Sequence, residues 1–98
     1  MFSGGDYHEV ARWLENFAIS HAKREDLRAE CVLATQGPLE GASYGLRVKV
    51  ADRLSSEVEL RFVDVAAGRG GMAWCRSLAD RVRGLAREAA GHGSLRPA

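Results

Sequence analysis

Two stretches of this chain alternate with a period of two. In residues 42–51, Tyr44, Leu46, Val48 and Val50 are set against Arg47 and Lys49. In residues 57–65, Val58, Leu60 and Phe62 are set against Glu57, Glu59 and Arg61. Such alternation is the mark of a β-strand with one face in water. The segment between them, Asp52-Arg53-Leu54-Ser55-Ser56, is too short for a parallel crossover, so the two strands pair antiparallel. Arg47 and Lys49 then meet Glu57, Glu59 and Arg61 on the outer face, where each opposite-charge pair contributes about 0.2–1 kcal/mol. A face lined by charge is a wet face. Only the other face is left for helices, which predicts two layers.

Residues 28–36 read as a further strand with a blurred pattern. Ala29, Cys31, Leu33 and Thr35 alternate with Arg28, Glu30, Val32 and Ala34. Gly37-Pro38 and Gly41 mark the turn after it. A helix is expected over 6–23. Asp6-Tyr7-His8-Glu9 has the form of a capping box, and Tyr7, Val10, Trp13, Leu14, Phe17 and His21 fall on one face. Lys23 and Arg24 suit its negative end. A second helix is expected over 71–90, with Met72, Cys75, Leu78, Ala79, Val82, Leu85, Ala86 and Ala89 on its apolar face and Gly91 as its stop. Gly84 lies nearly opposite that face and costs about 1 kcal/mol relative to alanine. The fold class expected is α+β: a two-layer sandwich in α-β-β-β-α order, a three-stranded antiparallel meander with both helices on one face. Residues 1–91 make one domain and residues 92–98 read as a disordered tail.

Bulk properties exclude several classes. Ninety-eight residues, 46% hydrophobic and 28% charged, suit one globular domain and not a disordered chain. No apolar run approaches the roughly 18–20 residues of a membrane span. Residues 1–6 lack a basic stretch followed by an apolar one, so no secretory signal is read and the cytoplasm is the expected location. The two cysteines, Cys31 and Cys75, are too far apart for a paired motif. They read as buried thiols without a lowered pKa. His8 and His21 lie roughly 140° apart on the first helix and cannot share a metal. His21 reads as a partly buried core histidine. No catalytic residue, metal site or cofactor is expected.

Three features remain as candidate sites. Arg69, Gly70 and Gly71 precede a helix with no Ser, Thr, Asp or Asn at its start, so its first amides are available to an anion. Arg76, Arg83 and Arg87 form a stripe on that helix, with Asp80 among them, that would suit phosphate or an acidic partner. Both groups also fit a plain solvated loop and helix flank. Val32 and Ala34 fall on the otherwise polar face of an edge strand, where exposed backbone invites pairing. Together with Trp74 and Ile19, at the margins of the two helices, they form the expected partner interface. A pocket between helices and sheet near Tyr44, His21 and Trp74 would be the seat of any small-ligand function.

The element order resembles the double-stranded RNA-binding domain over residues 6–90. Gly37-Pro38 stands where that family has its Gly-Pro turn, and Gly68-Arg69-Gly70-Gly71 where it has a glycine-containing loop before the last helix. The resemblance implies contact with RNA through that turn and the start of the last helix. The family's lysine cluster is replaced here by Met72-Ala73-Trp74-Cys75-Arg76, and Leu39-Glu40 stand where a histidine comes after Gly-Pro. The leading expectation is therefore a non-enzymatic interaction module, binding a protein partner or itself as a homodimer. Nucleic-acid or anion binding through the basic last helix is the alternative.

Overall fold

The computed structural model describes residues 6–91; the C-terminal tail expected at 92–98 lies outside them. Asp6 opens α1 (Tyr7–Ala22), its carboxylate accepting the Glu9 N–H at 2.7 Å. This satisfies one of the helix's unpaired first amides. Val10, Leu14, Ala18 and Ala22 recur every four residues and are fully buried. Next in the chain are β1 (Ala29–Ala34), a 3-10 turn at Gly37–Leu39, β2 (Ser43–Val50), β3 (Arg53–Leu54), β4 (Val58–Arg61), α2 (Phe62–Gly68) and α3 (Met72–Ala90). Gly37 (φ +79°) and Gly41 (φ +83°) supply the left-handed backbone of the first turn. Gly91, at φ 93°, ends α3.

The architecture is the α+β one expected, with helices packed on an antiparallel sheet. β2 lies between β1 on one side and, end to end, β3 and β4 on the other. Registers Ala29↔Val50, Cys31↔Val48 and Leu33↔Leu46 align the inward side chains of β1 with those of β2. Leu46↔Val58 and Tyr44↔Leu60 do the same for β4. α1 packs mainly on β1 and α3 on β2, and the two helices contact each other. At the centre Tyr7 and Tyr44 stack with ring centroids 4.6 Å apart. Tyr44 Oη donates to the Tyr7 carbonyl at 2.7 Å, and the Tyr7 hydroxyl donates to the Ser43 carbonyl. Burial raises the pKa of both hydroxyls.

The expected third strand differs in two ways. It ends at Arg61, and residues 62–68 are helical. Phe62, Val65 and Ala66 have the i, i+3, i+4 spacing of a helix, and Val65 and Ala66 are buried while Val63 is exposed. The strand-like alternation simply runs into this helical pattern. The strand is also divided. From Lys49↔Leu54 to Leu46↔Val58 there are three steps on β2 and four on the opposing strand, so one extra residue forms a β-bulge. Ser55, only 2% exposed, holds it. Its N–H donates to the Val48 carbonyl at 2.8 Å, and its Oγ accepts the Val48 N–H at 2.9 Å. Ser56 donates its N–H and hydroxyl to the Glu88 carboxylate of α3, at 2.9 and 3.0 Å. The two serines read as turn residues thus lie between β3 and β4, Ser55 bonded to β2 and Ser56 to α3, and the tight turn lies at Ala51-Asp52, with Ala51 at φ 58°.

Candidate interaction surfaces

β1 is an edge. Val48 turns both backbone groups toward Ser55. Alternate residues of a strand point their backbone groups to opposite sides. Arg47 and Lys49 therefore bond β1, through their partners Val32 and Glu30. Cys31 and Leu33 are left directing N–H and C=O to the open side. The ends of that edge are occupied: the Ala29 N–H donates to the Asp26 carbonyl at 2.9 Å, and the Thr35 carbonyl accepts from Tyr7 Oη at 3.2 Å. Val32 is 40% exposed on the outer face beside exposed Ala34, and Cys31 and Leu33 are half-buried. Half-buried Ile19 lies one helical turn from Glu15, whose charge acts on Cys31. That face of α1 stands over β1. Three of the four expected interface residues, Val32, Ala34 and Ile19, thus belong to one margin. Trp74 belongs to the other.

Trp74 is half-buried against α2. A Cβ at Gly68 would lie 2.3 Å from its indole ring, so only glycine permits this approach. Trp74, Gly68 and Arg81 border a depression of about 540 Å³ beside β4, shared with Glu59, Arg61 and Asp64. A notch of about 60 Å³ adjoins it, lined by Leu60, Trp74, Leu78 and Arg81.

The arginine stripe lies on α3, and the carboxylate that pairs with it is Glu25 rather than Asp80. Glu25, in the segment after α1, accepts from Arg83 Nε at 3.0 Å and Arg87 Nε at 3.1 Å. These hydrogen bonds hold the Glu25 carboxyl below its usual pKa. Two of the three arginines of the stripe are thereby paired within the chain. Asp80, four residues from Arg76, was the nearer carboxylate in sequence; nothing in the pattern singles out Glu25. Arg76 forms no ion pair among the described residues. With Arg24, Arg83 and His21 it lines a depression of about 240 Å³ between α1 and α3. His21 Nδ1 is buried there with no hydrogen-bond partner in the described residues. Burial, then the Arg24 and Arg83 charges, lower its pKa.

The glycine loop joins two helices and not a strand to a helix. Gly71 caps α3 without a side-chain hydrogen bond. Its own N–H already donates to the Gly68 carbonyl at 2.8 Å, and the Arg69 N–H to the Val65 carbonyl at 2.9 Å, so of the amides of Arg69, Gly70 and Gly71 two are spent within the chain. Cys75 Sγ donates to the Arg69 carbonyl at 3.5 Å. Cys31 is pushed up to about 12 by burial and then by Glu15, which keeps it a thiol at neutral pH. Tyr44, His21 and Trp74 do not share a pocket. Tyr44 is wholly buried, while His21 and Trp74 border separate depressions. Among the described residues no three His, Cys, Asp or Glu side chains gather as a metal site, and no helix is long and apolar enough to cross a membrane. Comparison with models of protein families, with curated proteins and with solved structures found no match.

Proposed function

We propose that the protein is a non-enzymatic interaction module that self-associates by pairing β1 with β1 of a second copy. The observation that carries this reading is the open middle of β1, where two consecutive outward-directed residues, Cys31 and Leu33, lie beside exposed Val32. An antiparallel pair about a two-fold axis must keep inward side chains opposite inward ones. With Val32 opposite Val32 of the second copy, Cys31 faces the second copy's Leu33, and each such pair exchanges two backbone hydrogen bonds. The same register places Val32, Ala34 and Ile19 at the seam and removes half-buried apolar surface from water. A two-fold contact is self-limiting and closes at a dimer.

The strand is six residues long. With one helix flank beside it, the contact falls at or below the ~1,200 Å² end of specific interfaces, so the dimer is reversible. Sedimentation equilibrium over a wide concentration range tests it: a monomer–dimer equilibrium that Val32→Lys abolishes is expected, and a strict monomer at high micromolar concentration overturns it. The nucleic-acid reading is the weaker one, because Glu25 engages Arg83 and Arg87 and cancels one of their two charges, and counterion release scales with the cations left free.

A further inference from the structure

The groove beside β4 is a different kind of edge. The Phe62 N–H donates to the Ala42 carbonyl at 2.8 Å. Counting by twos from that bond, Leu60 and Val58 turn their backbone groups toward β2. Glu59 turns both of its groups outward, and Arg61 its N–H, into the depression of about 540 Å³ that both residues line; the Arg61 carbonyl, at the N-cap of α2, accepts the first bond of that helix. On its helix side the depression opens onto the small notch between Leu60, Trp74 and Leu78. Glu59 and Arg61 are exposed, and neither forms an ion pair among the described residues.

We infer that this edge accepts an extended peptide segment of another protein, added antiparallel to β4, with the pattern acidic–apolar–basic. The pattern is set by register. Directly opposed residues of an antiparallel pair share a face. The residue opposite Arg61 comes first in the incoming strand and lies on the outer face, so an acidic side chain meets the guanidinium. The next residue, opposite Leu60, points to the helix side and places an apolar side chain at the notch. The third meets Glu59 and is basic. Backbone bonds from both groups of Glu59 and from the Arg61 N–H supply affinity, and the notch and two charges supply selection, as in other strand-addition sites.

The shape favours an isolated segment over a folded copy of this chain. A second copy paired at β4 carries its own helices over its own strand and leaves the depression unfilled, whereas a lone strand brings one side chain into it. Gly68 fixes the wall, because its missing Cβ lets Trp74 lie against α2. This inference is independent of pairing at β1.

Titrating the isotopically labelled full chain with two capped nonapeptides tests it. One is centred on Glu-Leu-Arg, the other on Arg-Leu-Glu, within identical Thr and Val flanks. The expected result is shifts of the Glu59 and Arg61 amides and the Trp74 indole, with the Glu-Leu-Arg peptide favoured about tenfold. The double exchange Glu59→Arg with Arg61→Glu, at two exposed positions, reverses the preference. Absence of shifts with either peptide overturns the inference. So does an unreversed preference, or a shift pattern confined to β1. Self-association that Arg61→Glu alone abolishes would assign this edge to a second copy and also overturn it.

Discussion

At β1 the open backbone groups of Cys31 and Leu33 lie at the margin of the sheet beside small apolar side chains. At β4 those of Glu59 and Arg61 are recessed beneath α2 and Trp74 and flanked by charge. The difference begins with the element C-terminal to each strand. β1 runs into a turn built on Gly37 and Gly41 that leads back into β2. β4 runs directly into α2, which carries Gly68 and lets Trp74 descend over the edge. A shared backbone pattern therefore presents one flush edge with an apolar middle, suited to its own copy, and one recessed edge suited to a single strand. Edge strands are hazards when flat and apolar, and each edge here is limited by a different device: at β1 by the occupied groups of Ala29 and Thr35, at β4 by charge.

The contrast can be broken most severely at Gly68. Gly68→Ala places a methyl inside the Trp74 ring and is expected to cost about 3 kcal/mol, the upper end for overpacking. Urea unfolding would show this, together with a changed tryptophan emission. An unchanged midpoint would mean that Trp74 does not rest on α2. Ser55→Ala comes next. It leaves the buried Val48 N–H without its acceptor and should cost about 2 kcal/mol, measured the same way. Because the bulge decides which residues of β4 face outward, this variant should also weaken peptide binding while leaving pairing at β1 intact.

Arg61→Glu is expected to change stability by less than about 0.5 kcal/mol and still to abolish preference for the Glu-Leu-Arg peptide. The smallest effect is at Glu25, which belongs to neither edge. Its folded pKa lies below the ordinary 4.5, so the stability it contributes is present above that value and lost as pH falls through the folded pKa. In a pH series of unfolding measurements, the gap between wild type and Glu25→Gln should narrow as pH falls below 4.5 and through the lowered pKa of Glu25, and both edges should bind as before. A gap independent of pH would show that the pairing with Arg83 and Arg87 does not form in solution.

The layer arrangement was legible because it depends on local periodicity. The alternation of Arg47 and Lys49 with Leu46, Val48 and Val50 dictates a wet outer face, and the spacing of Tyr7, Val10, Trp13, Leu14, Phe17 and His21 dictates the first helix. The end of the third strand was not legible, since Phe62 and Val65 satisfy parts of both a two-residue and a helical period. Nor was the bulge: Ser55-Ser56 has turn composition, and its role comes from the bonds of Ser55 to Val48 across the strand pair and of Ser56 to Glu88, 32 residues on in α3. Among the candidate residues, Val32, Ala34 and Ile19 could be found from their departure from the polar pattern. The β4 groove could not, because Glu59 and Arg61 look like any outer-face charges until α2 folds beside them. Glu25 was invisible for a similar reason, its partners lying 58 and 62 residues away.

Sedimentation equilibrium of the wild type beside Val32→Lys and Arg61→Glu tests the division between the edges most directly. The expected result is a reversible dimer for wild type and Arg61→Glu and a monomer for Val32→Lys. A wild-type chain that stays monomeric at high micromolar concentration, or a dimer lost in Arg61→Glu and kept in Val32→Lys, would contradict it.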